Sequence, residues 1–106
     1  MSNPIRIGIA GLGTVGAGLI KIIQKNSNIL EARAGKPIKI IAVSALSKSK
    51  DRGVDLTAYE WEDDPIALAK RDDIDVFVEL IGGESGQAKK ATEEAIKHGK
   101  HVVTAN

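Results

Sequence analysis

Six consecutive residues carry the first chemical signal in this chain. Gly11-Leu12-Gly13-Thr14-Val15-Gly16 is a GxGxxG run, a spacing by which backbone can seat a pyrophosphate. The first glycine makes a tight turn, the second lets the backbone approach the phosphates, and the third permits close packing of the helix that follows. The amides and positive end of a helix starting near Thr14 would then face the anion. The plainer alternative is a glycine-rich turn that serves packing alone. Glycine is common here, with 11 in 106 residues, so the weight of the motif depends on where the fold puts it.

A second signal is charge. Positions 36–52 hold five basic residues, Lys36, Lys39, Lys48, Lys50 and Arg52, against the single acid Asp51, whereas positions 53–75 hold eight acids against Lys70 and Arg71. A site for NAD usually places an acid at the end of the second strand to bind the ribose 2′-hydroxyl. This chain instead runs Ser44-Ala45-Leu46-Ser47-Lys48-Ser49-Lys50, offering hydroxyls and ammonium groups suited to a 2′-phosphate. NADP is therefore expected ahead of NAD, the alternative being a solvated basic loop. Glu79 sits inside an apolar stretch, where a buried acid needs a partner; a role near the nicotinamide and a structural hydrogen bond both fit it. His98 and His101 have no Asp or Cys at ligand spacing and read as surface residues. Asp63, Asp64, Asp72, Asp73 and Asp75 read as caps and strand entries, so no metal site is expected. Tyr59 and Trp61 read as edge-strand packing.

The elements that must position these residues follow from periodicity. Ile5 to Ala10 alternates as a strand. Val15, Leu19, Ile22, Ile23 and Leu30 recur at helical spacing to about Glu31, with a stop near Ala34-Gly35. Ile38 to Leu46 is a nearly continuous apolar run, as in a strand covered on both faces. Thr57 to Glu62 suits a short edge strand, and Asp63-Asp64-Pro65 caps a short helix through Ala69. Asp75 to Ile81 reads as a buried strand. Ser85 to His98 reads as an amphipathic helix with Ala88, Ala91, Ala95 and Ile96 inward, closed by Gly99, and His101 to Thr104 begins another strand. This succession, with right-handed crossovers, predicts an α/β chain: a Rossmann-like, doubly wound parallel sheet in three αβα layers, one domain over residues 1–106.

Composition narrows the function classes. The absence of cysteine excludes disulfides, zinc ribbons and thiol nucleophiles and suits a reducing cytoplasm. A net charge of +1 and single Trp, Tyr and Phe residues offer little to nucleic acid. The apolar runs fall short of a membrane span, and the polar start predicts no signal peptide.

Four blocks, in order and at fitting separations, resemble homoserine dehydrogenase: the glycine run 11–16, Asp51-Arg52-Gly53-Val54-Asp55-Leu56, Val78-Glu79-Leu80-Ile81-Gly82-Gly83, and Gly99-Lys100-His101-Val102-Val103-Thr104-Ala105-Asn106. The resemblance covers essentially the whole chain. It implies an oxidoreductase that interconverts homoserine and aspartate 4-semialdehyde with NAD(P), in a step toward threonine, methionine and isoleucine. It also implies an active-site lysine just after Asn106 and a following domain that holds the homoserine site and most oligomer contacts. On that basis the chain is expected to be the nucleotide-binding domain alone, without catalytic residues of its own, able to bind cofactor but not to turn over substrate, its parent a homo-oligomer. The family's pattern assigns Gly11 and Leu12 through Gly16 to the pyrophosphate. Ala45, Ser47 and Lys48, with Lys50 beyond them, fall to the adenosine ribose side, and Ile81, Gly82, Thr104, Ala105 and Asn106 to the nicotinamide side. Related sequences often carry an arginine near position 46; Leu46 here leaves Lys48, Lys50 or Arg52 to meet a 2′-phosphate. A free-standing NAD(P)H-sensing module, or the nucleotide domain of another semialdehyde or amino-acid dehydrogenase, is the alternative.

Overall fold

Alternation along the first strand sends Ile7 and Ile9 to one face of a sheet and Gly8 and Ala10 to the other, and each face has its own core. In the computed structural model, which describes residues 3–48, 50–81 and 86–104, the elements run β1 (Ile5–Ala10), α1 (Thr14–Lys25), α2 (Ser27–Ala34), β2 (Ile38–Ser44), β3 (Glu60–Glu62), α3 (Pro65–Ala69), β4 (Val76–Glu79), α4 (Gly86–Lys97) and β5 (His101–Thr104). All pairings are parallel, in the order β3-β2-β1-β4-β5. Ile7, Ile9, Ile40, Val43 and Val78 pack with Ile20 and Ile23 of α1. On the other face Ala10, Ala42 and Phe77 pack with Leu68 and Ala69 of α3 and Ala91 and Ala95 of α4. Gly8 leaves room for this second core: a Cβ there would stand 3.0 Å from both Ile74 Cδ1 and Leu68 Cδ1. The fold is thus the expected three-layer αβα arrangement.

Several boundaries differ from the sequence expectation, each for a local reason. The first long helix is two helices, broken at Asn26, whose amide nitrogen and side-chain Nδ2 both donate to the Ile22 carbonyl (2.9 and 3.2 Å); asparagine competes for backbone in this way and favours helix ends. The buried face of α1 is Gly16, Ala17, Ile20 and Ile23, while Val15 and Ile22 are exposed. Strand β2 stops at Ser44, and Leu46 is fully exposed. Within its apolar run the register shifts, Ile7 pairing with Ile40 but Gly8 with Ala42. The irregularity leaves Ile41 as the extra residue, so Ile40 and Val43 share a face. The edge strand is only Glu60–Glu62, and β4 is only Val76–Glu79, although Asp75 N and Leu80 N on either side of it still donate to the Arg6 and Ala10 carbonyls of β1. Helix α4 buries Ala91 and Ala95, with Ile96 exposed, because 91 and 95 lie on one helical line and 96 falls about 100° away. The cap is as anticipated: Asp64 Oδ1 accepts from Ile66 N at 2.9 Å, with Pro65 in the first turn.

Asp75 ties the entry of β4 to β1. Its carboxyl accepts from Arg6 Nε at 3.1 Å, Arg6 Nη2 at 2.9 Å and the Arg6 backbone amide at 3.0 Å. These bonds lower its pKa to about 2. A depressed carboxyl stabilises the fold above its unfolded pKa, and the contribution disappears as pH falls from about 4 toward about 2. With the partners 38% and 42% exposed, solvent screens the pair and the effect is small. An Asp75→Asn chain is expected to melt a few degrees lower at pH 7, with the gap to the unmodified chain closing near pH 2. Thermal unfolding at both pH values checks this; a gap that persists in acid would remove the ion pair as its cause.

Candidate functional site

Strand β1 lies between β2 and β4, and the chain leaves β1 by a turn fastened to both neighbours. Gly11 N donates to the Ser44 carbonyl at 2.8 Å on the β2 side, and Leu80 N donates to the Ala10 carbonyl at 2.8 Å on the β4 side. Because β2 and β3 lie to one side of β1 and β4 and β5 to the other, this turn sits at the topological switch point, where open α/β sheets bind their ligands.

The three glycines there meet different demands. Gly11 has φ +97°, and a Cβ on it would lie 2.5 Å from the Leu80 carbonyl carbon and 2.7 Å from Ile81 N. Gly16 packs its Cα against the Gly11 carbonyl with no room for a Cβ. Gly13 differs: it is exposed, has φ −76°, and among the described residues a Cβ there would touch nothing within 4 Å. The protein's own packing requires the first and third glycines but not the second. Helix α1 begins immediately after Gly13, with no capping side chain and no acid in its first turn, so its leading amides lack an intrahelical acceptor and face outward with exposed Thr14 and Val15. An uncapped helix N-terminus beside an exposed glycine fits a pyrophosphate. Leu12 is buried beneath it in the α1-side core.

The basic segment reaches this turn through one residue. Arg52 Nε donates to the Leu12 carbonyl and Nη1 to the Lys50 carbonyl, both at 3.1 Å, while its guanidinium carbon lies 5.8 Å from the centroid of the Trp61 ring. Arg52 thereby fastens the loop after β2 beside the N-terminus of α1. Ser47, Lys48 and Lys50 are exposed on that loop and Ala45 is half-buried. The sequence grouped Arg52 with the lysines; only the fold singles it out as the contact to the glycine turn. Trp61, half-buried, also donates from Nε1 to Asp63 Oδ1 at 2.9 Å, and the Tyr59 hydroxyl accepts from Gln24 Nε2 at 2.8 Å.

On the opposite side of β1, Glu79 is 3% exposed. Its Oε2 accepts from Ile81 N and its Oε1 from the Thr104 hydroxyl, each at 2.7 Å, so the structural hydrogen bond considered for it is present. These bonds bring Ile81 and Thr104 together at the carboxyl ends of β4 and β5. Gly82, Ala105 and Asn106 lie outside the described residues. His98 caps its own helix, Nδ1 lying 2.8 Å from the Glu94 carbonyl. His101 starts β5 at the other end of the sheet, by an open concavity shared with Asn3, Lys36 and Asp75. Among the described residues no group of three or more His, Cys, Asp or Glu side chains could hold a metal ion, and no helix is long and apolar enough to cross a membrane.

A parallel doubly wound sheet with a glycine turn and an open helix N-terminus at its switch point defines the class: a dinucleotide-binding α/β domain. Comparison with known proteins gives the particular family. Residues 11–106 match the family model described as the NAD binding domain of homoserine dehydrogenase. The homoserine dehydrogenase of Neisseria gonorrhoeae is 45% identical over 104 residues, 98% of this chain and 23% of that protein, and that of Bacillus subtilis is 41% identical over 109 residues, 96% of this chain and 23% of that protein. The crystal structure of homoserine dehydrogenase from S. aureus superposes with a TM-score of 0.86 at 33% identity, covering 100% of this chain and 27% of that one. The enzyme from Thiobacillus denitrificans gives 0.87 at 35% identity, over 98% and 24%. The chain belongs to the homoserine dehydrogenase family, as its NAD-binding domain, and spans about a quarter of the length of these relatives.

Proposed function

We propose that this chain is a single cofactor-binding domain that seats NAD(P)(H) across the switch point. The pyrophosphate lies over Gly11 and Leu12 through Gly16, the adenosine ribose beside Ala45, Ser47, Lys48 and Lys50, and the nicotinamide toward Ile81, Gly82, Thr104, Ala105 and Asn106. The observation that carries the reading is Gly13, a glycine that the packing of the described residues does not require, set where a phosphate would press on the backbone. The bound nicotinamide supplies or accepts a hydride. In the whole protein that hydride serves the interconversion of homoserine and aspartate 4-semialdehyde, on the way to threonine, methionine and isoleucine; this chain by itself binds cofactor without turning over homoserine. The parent is a cytoplasmic homo-oligomer, in keeping with a cysteine-free chain.

NADP is favoured over NAD because Arg52 holds the loop of Lys48 and Lys50 against the glycine turn and no acid ends β2. Calorimetric titration tests both parts. Half of a pocket is expected to bind NADPH near millimolar, about −4 kcal/mol, and an absence of binding by NADPH and NADH alike would overturn the reading. Replacing Lys48 and Lys50 together by alanine is expected to weaken NADPH about tenfold, ~1.4 kcal/mol, and leave NADH unchanged. Equal losses for the two cofactors would assign the lysines to the pyrophosphate instead.

A further inference from the structure

Glu79 is buried deeply for an acid, and its surroundings say what it holds. It is the last residue of β4, paired in register with Ala10 of β1 on one side and Thr104 of β5 on the other. Its two oxygens go to different pieces of chain. Oε2 takes Ile81 N, so the side chain folds back over the exit of its own strand, and Oε1 takes the Thr104 hydroxyl at the exit of the next. A buried carboxyl is costly without such partners, and an apolar side chain of the same length would fill the space. The bonds therefore matter for what they place. One is the Leu80–Ile81 peptide, the same peptide against which Gly11 packs; the other is Thr104.

Both lie on the far side of β1 from β2 and the basic loop. A dinucleotide that crosses the switch point with its adenosine end at β2 must lay its other ring over the ends of β4 and β5. We infer that Glu79 is a positioning residue for the nicotinamide half of the cofactor: it sets how Ile81 and Thr104 face the crevice and leaves the adenosine and pyrophosphate half untouched. This rests on the cofactor reading above. The role is exerted through hydrogen bonds. Glutamine can keep both, its oxygen accepting from Ile81 N and its nitrogen donating to a Thr104 hydroxyl turned to accept, whereas methionine, similar in length and apolar, loses both.

Two ligands separate the halves of the site: NADPH, and 2′-phospho-ADP-ribose, which lacks the nicotinamide. Titrated into the 106-residue chain, NADPH is expected to bind more tightly than 2′-phospho-ADP-ribose. Glu79→Met is expected to bring the two affinities within twofold of each other by weakening NADPH alone. Glu79→Gln is expected to restore the difference to within threefold of the original. Thr104→Val removes the hydroxyl that bonds Glu79, stays informative if Glu79→Met does not fold, and is expected to narrow the difference while 2′-phospho-ADP-ribose holds within twofold. Parallel losses for both ligands in a folded variant, or no change in their ratio, would overturn the positioning role, and a glutamine variant as impaired as methionine would reassign it to charge. An unmodified chain that binds neither ligand would fail earlier, at the cofactor reading, and take this role with it.

Discussion

A Gly13→Asp chain is expected to lose nucleotide binding while folding as well as the unmodified protein. The position has an ordinary φ of −76°, and a Cβ there meets none of the described residues within 4 Å, so their packing has no objection to a side chain. Aspartate is moreover a better helix N-cap than glycine, by a few tenths of a kcal/mol. That same capping defeats the ligand, because the new carboxylate takes the α1 amides that the pyrophosphate needs. It also repels the phosphate charge: at about 5 Å and an effective dielectric of about 20 the penalty is ~3 kcal/mol, on the order of 100-fold in affinity. From a millimolar starting point, binding becomes undetectable. Calorimetry and thermal unfolding on the same sample check both halves. Retained binding with an unchanged melting temperature would mean that the glycine turn serves packing alone.

Gly11→Ala should show the opposite signature, a large loss of stability. Its φ of +97° is one that L-residues rarely adopt, and the added methyl carbon would press into the backbone of Leu80 and Ile81. Left-handed backbone costs about 1–2 kcal/mol and overpacking about 1–3 kcal/mol. A combined loss near 3 kcal/mol is a large part of the 5–15 kcal/mol typical of a domain and corresponds to a fall of ~10–20 °C in melting temperature. Gly16→Ala, whose Cβ would meet the Gly11 carbonyl, belongs with it. A Gly11→Ala chain that melts normally would show that the turn can open away from Leu80 at little cost. The contrast between positions 11 and 13, two residues apart in one motif, separates a structural glycine from a functional one.

The glycine motif was legible because it stood between an alternating strand and an apolar helix, and that context is local. The end of β2 without an acid, the Asp64–Pro65 helix start and the alternation of β1 were legible for the same reason. Helix boundaries were less so: the break at Asn26 has no hydrophobic signature, because Leu30 of α2 still packs, partly buried, against the α1-side core and the period reads on through the break. The long β2 run hid a register shift, because a bulge changes which residues share a face without changing how apolar they are.

The order of residue types along the chain, by itself, determined a parallel α/β sheet, the strand-to-helix glycine turn and a basic segment in place of an acid. These are properties of neighbours in sequence, set by backbone sterics and by hydrophobic period. Only the tertiary structure decided which of the bases meets the glycine turn, that Gly13 alone of the three glycines is free of internal demand, and that Glu79 joins residues 81 and 104. Those facts depend on Arg52 meeting Leu12 40 positions away, Thr104 meeting Glu79 25 positions away, and Gly11 packing on Leu80, and such pairings arise from how the sheet brings strand ends together, which no local pattern encodes.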